Sequence, residues 1–178
     1  MRKILLALSL LILSIGNNAA QQLFTKVQES SISASYRSQR SIFPKAAVFI
    51  KTNHEDLIDV LAKSPSEKKY KAKRASKELV LINPNGQYEL FKIFETEMME
   101  SGLKKKYSEI KTYKGFLKSD PSVNIHLGIG KNNFYATVDN GDLSYSIDRY
   151  AKGQNEFYQS YFHTDYTGEE ELSFAQCG

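Results

Sequence analysis

The sequence predicts an α+β fold: a mostly antiparallel β-sheet of short strands with two or three short helices, preceded by a signal peptide. Three observations predict it. From Leu79 onward, short apolar or aromatic runs recur with turn residues between them, the rhythm of neighbouring antiparallel strands. One connection, Pro84-Asn85-Gly86, supplies the positive φ angles that a tight hairpin requires. Ahead of the strands, Thr52 with Glu55 three residues later reads as a capping box, and Leu57, Ile58, Val60 and Leu61 follow at helical spacing.

In chain order, Arg2 and Lys3 precede an apolar run from Ile4 to Ile15, and the small residues Ala19 and Ala20 close the segment. This is the pattern of a secretory signal peptide over 1–20, with cleavage expected after Ala20. The run is shorter than the roughly 20 apolar residues that span a bilayer, and no second run follows, so the mature chain is expected to be secreted, without a membrane partner after signal removal. Residues 21–45 read as an extended N-terminal arm, because Ser30 to Ser41 is polar without a period. A domain over 46–166 should begin with a strand at Ala46–Ile50 and a helix reaching about Lys63; Ser64-Pro65-Ser66-Glu67 is a possible second helical start. The basic cluster Lys63, Lys68, Lys69, Lys71, Lys73, Arg74 and Lys77 reads as a solvated linker. Strands are then expected at Leu79–Ile82, Tyr88–Phe94, Ile110–Leu117, Val123–Leu127, Phe134–Val138, Leu143–Ile147 and Phe157–Phe162. A helix is expected at Met98–Tyr107, and turns at Gly128–Asn133 and Asp139–Asp142. Residues 167–178 form a C-terminal linker, acidic at Gly168–Glu171 and expected to be disordered, that carries Cys177.

The formal charge of +4 falls to +2 once Arg2 and Lys3 are removed, a weak imbalance that does not imply nucleic acid as a partner. The residues also lack a recognisable catalytic set. His54-Glu55 starts the zinc-protease pattern His-Glu-x-x-His but meets Ile58 where the second histidine must stand. Gly128-Ile129-Gly130 lacks the third glycine of a dinucleotide loop. His126 alternates with Ile125 and Leu127, the placing of an outward or hydrogen-bonded structural histidine. His163 lies near Asp165, a conceivable base and orienter, with no nucleophile in sequence. The aromatic residues Tyr145, Tyr150, Phe157, Tyr158, Tyr161 and Phe162 suit either a sugar- or partner-binding face or ordinary cross-strand packing. Cys177, the single cysteine, would face an oxidising compartment alone, which points to an intermolecular bridge, a metal ligand or an inert thiol.

One set of blocks is more distinctive than its composition. Leu79-Val80-Leu81-Ile82-Asn83-Pro84-Asn85-Gly86 is followed by Phe91-Lys92-Ile93-Phe94-Glu95, Met98-Met99 and Tyr107-Ser108-Glu109-Ile110-Lys111-Thr112-Tyr113-Lys114-Gly115. Asp120-Pro121, Asn133-Phe134-Tyr135-Ala136-Thr137-Val138 and Tyr145-Ser146-Ile147-Asp148-Arg149-Tyr150 then follow. In this order, over about Arg37 to Cys177, they resemble the propeptide of secreted bacterial reprolysin-like zinc metalloproteases, of the adamalysin type among the metzincins. The chain departs from that pattern at Ser108, where the family usually has Pro, and at Asn133, where Gly is common. The resemblance implies a prodomain that keeps a zinc metalloendopeptidase latent and aids its folding, with no catalysis of its own. It implies a chain truncated before the catalytic domain, whose partner is that domain in cis or in trans, with zinc as that domain's cofactor rather than its own. It further implies that Cys177, followed by Gly178, is an inhibitory zinc ligand. Ser173-Phe174-Ala175-Gln176 do not match the motif of the related animal proteases, so the inert thiol stays open beside it. The alternatives are a free-standing secreted β-rich binding module using an aromatic face, and a hydrolase using His163 and Asp165.

Overall fold

The computed structural model describes residues 23–96 and 109–166. Among these described residues there are nine strands, β1 Phe24–Val27, β2 Val48–Thr52, β3 Lys77–Ile82, β4 Tyr88–Thr96, β5 Lys111–Leu117, β6 Asn124–Gly130, β7 Asn133–Asp139, β8 Tyr145–Arg149 and β9 Phe157–Phe162, and three α-helices, α1 Ala34–Arg37, α2 His54–Ala62 and α3 Glu67–Lys73. All strand pairs are antiparallel, in one sheet ordered β1-β2-β9-β8-β7-β6-β5-β4-β3. The architecture is therefore α+β weighted strongly to β. The sheet curls into a half-barrel whose two edges approach, and Lys26 Nζ of β1 donates to the Gly86 carbonyl of the β3–β4 turn at 3.1 Å.

Alternation along the strands decides which side is filled. Ile50, Leu79, Leu81, Phe91, Ile93, Tyr113, Ile125, Leu127, Phe134, Ala136, Val138, Ile147 and Tyr158 are buried together in one cluster on the concave side. Helix α2 packs there through Leu57, Val60 and Leu61. Burying a leucine fully is worth about 1.5–3 kcal/mol, so Leu57 and Leu61, both without exposed surface, anchor this helix more strongly than its own propensity could. A polar tie sets its angle: His54 Nε2 lies 2.9 Å from the Gly130 carbonyl.

Several expectations need correction. The cap of α2 is Asn53, whose side chain accepts from the N–H groups of Glu55 and Asp56 at 3.0 and 3.4 Å. Thr52 instead ends β2, because its backbone is still paired with Phe24. The described part of the N-terminal arm is packed: Phe24 and Ile32 are each 1% exposed, β1 pairs with β2, and residues between them form a 3-10 turn and α1. The basic linker contains α3, held down by the one aromatic in it, Tyr70, which stacks on Phe94 at 4.2 Å and 6°. Gly128, Ile129 and Gly130 belong to β6, leaving Lys131 and Asn132 as the turn. There the Tyr135 ring lies where a Gly128 Cβ would point, 2.5 Å away, so the glycine makes room for a ring rather than for a bend. The expected helix at Met98–Tyr107, the signal segment 1–20 and the linker 167–178 lie outside the described residues.

Candidate functional site on the outer face

The outer, convex face is where side chains remain available. Register aligns one row across it: Phe94, Lys114, His126, Thr137, Ser146 and Tyr161 stand side by side on β4 to β9. Two covers leave its centre open. Residues 28–45 lie over the β2–β9 end, where Ile32, Tyr150, Ala151 and Phe157 form a second small core with Tyr36 and Phe49 packed against it. Helix α3 lies over the β4–β5 end, its Tyr70 against Phe94 and Phe116.

The first cover is fastened by Arg40. Its guanidinium donates to Glu29 Oε1 at 2.9 Å, to Gln159 Oε1 at 2.9 Å and to the Ile42 carbonyl at 3.0 Å, and it sits 5.0–5.3 Å from the rings of Phe43, Phe49 and Tyr150. Glu29 Oε1 also accepts from the Tyr150 hydroxyl at 2.7 Å. Burial, and then this bond to a carboxylate, push the Tyr150 phenol up to about 12.

On the open strip, Ser146 Oγ lies 2.9 Å from His163 Nε2. No single-sequence pattern signals this pair, because the two are 17 residues apart and meet only through the β8–β9 register. Asp165 shares a 3-10 turn with His163, yet among the described residues no hydrogen bond joins them. Asp148, two positions along β8 from Ser146, accepts from the Tyr161 hydroxyl at 2.6 Å. Among the described residues the imidazole therefore contacts a hydroxyl with no hydrogen-bonded carboxylate to orient it as in a triad. His126 is exposed on the outer face, as expected. Among the described residues no group of three or more His, Cys, Asp or Glu side chains could hold a metal ion.

Of the aromatic residues considered as a binding face, Tyr145, Tyr150, Phe157, Tyr158 and Tyr161 are each at most 9% exposed. They pack the cores, and burial raises the phenols of Tyr145, Tyr158 and Tyr161 above their ordinary value, with hydrogen bonds to Glu89 and Asp148 adding to the shift for the first and last. A face built from them is not presented to solvent. Cys177 lies outside the described residues.

Between α3 and the strands runs a groove of about 370 Å³ that sequence reasoning missed, lined by Tyr70, Phe94, Lys114, Phe116, Asn124 and His126. The signal available was Tyr70 inside the basic run, an aromatic with no reason to sit in a solvated linker. No helix among the described residues is long and apolar enough to cross a membrane. No family model, curated protein or solved structure matches the chain.

Proposed function

We propose that the chain is the prodomain of a secreted zinc metalloendopeptidase, exported through its N-terminal segment, which keeps the protease latent, aids its folding and catalyses nothing itself. The observation that carries this reading is the order of the sequence blocks, and physical roles for them in the fold add support. Asn83 Oδ1 accepts from the N–H groups of Asn85 and Gln87 at 3.0 Å each, and Gly86 takes φ +75°, which gives the Asn-Pro-Asn-Gly block its turn. Gly115 closes the Thr-Tyr-x-Gly block because a Cβ there would stand 2.2 Å from the Lys92 carbonyl oxygen. Asp120 caps the Asp-Pro turn by accepting from the Ser122 N–H at 3.0 Å. Phe134, Ala136, Val138, Tyr145 and Ile147 of the last blocks fill the concave core. The blocks thus describe a scaffold over β3 to β8, and a scaffold is what a folding aid contributes.

The inhibitory step is assigned to Cys177. A thiolate is a strong zinc ligand, a catalytic zinc keeps one open position, and filling that position removes the water that would attack the peptide. Cys177 follows Tyr166 by 11 residues, so it reaches at most about 40 Å from that point. Within that radius a tethered ligand acts at high effective concentration, and proteolysis of the tether ends the inhibition. The test is to read the gene beyond the codon for Gly178. An in-frame His-Glu-x-x-His-x-x-Gly-x-x-His supports the reading, and the precursor carrying Cys177→Ala is then expected to cleave a casein substrate before processing. A stop codon, together with a precursor-length chain that leaves secreted zinc endopeptidases of its own culture uninhibited, sinks it.

A further inference from the structure

We propose that the groove between α3 and the outer face of β4–β6 is a docking site for an acidic segment of a partner protein, one that carries an apolar side chain beside its carboxylates. The first support is charge. Lys68, Lys69, Lys73 and Arg74 line α3 and its end, and Lys92 and Lys114 rise from the strands beneath. The acids of this region are already engaged: Glu67 pairs with Lys71 at 2.7 Å and accepts from the Thr96 hydroxyl at 3.1 Å, and Glu78 pairs with Lys118 at 2.8 Å. Lys114, at the groove floor opposite His126, has no acidic partner within 4 Å among the described residues. An incoming carboxylate meets that excess of cations, which is complementarity of the kind that selects partners.

The second support is shape. Tyr70 and Phe94 spend their ring faces on each other, and Arg74 lies 5.6 Å from the Tyr70 centroid. What the groove offers is a pocket of about 370 Å³ walled in part by aromatic rings, a volume for one or two side chains. An acidic peptide with an interleaved Phe or Leu matches both the charge and the apolar wall. Under the prodomain reading the partner is the catalytic domain, but the groove can be tested without that domain, so the two proposals fail separately.

The experiment uses the full chain lacking its first twenty residues and a fluorescein-labelled peptide of alternating Glu and Phe, read by anisotropy. The expected result is saturable binding that weakens about tenfold in Lys114→Glu and persists in Lys114→Arg, while Lys152→Glu, in the distant β8–β9 turn, leaves it unchanged. Circular dichroism of each variant separates lost binding from lost fold, and Phe116→Leu provides a second, charge-neutral probe that should weaken binding as well. Equal loss in Lys114→Glu and Lys152→Glu would mean diffuse charge attraction and overturn the site. Binding to phosphatidylglycerol vesicles with the same sensitivity to Lys114→Glu would overturn the protein partner in favour of a membrane. Peptide binding that emerges only after Glu169, Glu170 and Glu171 are changed to Gln would give the groove to the chain's own acidic run.

Discussion

The two covers of the outer face are built in opposite ways. Residues 28–45 are short of regular structure yet sewn down by polar contacts: Arg40 reaches three acceptors, Gln159 Nε2 donates to the Ile42 carbonyl at 3.0 Å, and the Lys45 N–H donates to the Asp165 carbonyl at 2.8 Å. Helix α3 has regular structure yet makes fewer contacts with the sheet: Tyr70 stacks on Phe94, Glu67 accepts from Thr96, and just ahead of the helix the Pro65 carbonyl accepts from the Glu95 N–H at 2.8 Å. The difference teaches that secondary structure does not measure attachment. The expectation is that the irregular cover unfolds with the core, while the helical one opens more readily on its own.

Removing Arg40 should have the largest effect. Its side chain is 12% exposed, and truncation strands the Glu29 carboxylate and the Gln159 amide oxygen. Because Glu29 is itself 38% exposed, solvent recovers part of the loss, and Arg40→Ala is expected to destabilise by about 3 kcal/mol in urea unfolding. A loss below about 1 kcal/mol would erase the contrast between the covers. Next comes Tyr70→Ala, expected to cost about 1–2 kcal/mol globally. Its sharper signature is local: trypsin should cut after Lys68, Lys69 or Lys73 about tenfold faster, since an opened helix exposes them. If global unfolding and proteolysis shift together, α3 is as integral as the other cover.

Tyr150→Phe probes the first cover with one atom, at an expected cost of about 1 kcal/mol at neutral pH. It also carries a pH dependence. The phenol stands at about 12 in the folded chain against an ordinary value of 10, so its contribution is complete below pH 10 and is lost as pH rises through 12. The wild-type chain should weaken across that window, and Tyr150→Phe should weaken less steeply, measured by urea midpoints between pH 9 and 12. Gly128→Ala addresses the open strip between the covers and should matter least, about 1 kcal/mol or less. The added methyl displaces only the Tyr135 ring, and a strand gains from losing a glycine. Acrylamide quenching of tyrosine emission would report the displaced ring.

Much of the β3–β9 succession was legible because each strand is a short run rich in apolar or aromatic residues and the turns between them carry their own chemistry. Phe157–Phe162 has the boundaries expected of it, and the hairpin after β3 turns at Gly86 with φ +75°, although Asn85 does not take the positive φ expected of it and the loop spans residues 83–87. Legibility failed where tertiary contact overrides composition. Residues 24–45 have no period of their own, and Phe24 becomes a strand residue only because β2 lies alongside it. Lysines dominate α3, so nothing local announced that Tyr70 would find Phe94. Glycines at 128 and 130 signal a turn in isolation, and only the neighbouring Tyr135 explains why a strand tolerates the first of them. The candidate site was the least legible part, since the Ser146–His163 pair and the Lys114 groove both arise from register between strands.

The strand order also imposes a timetable on the chain as it emerges. Strands β4 to β9 each pair with the strand before them, so they can zip up one hairpin at a time from β3 onward. Strand β2 pairs with β1 but not with β3, the next strand in the chain, and its other partner is β9: Val48 faces Ser160, 112 positions later. Until Phe157–Phe162 has been synthesised, the β1–β2 hairpin has no strand of the main sheet to pair with. Any chaperone that guards the nascent chain should therefore meet it at β1 and β2, and a lesion in β9 should leave that opposite end of the chain unprotected.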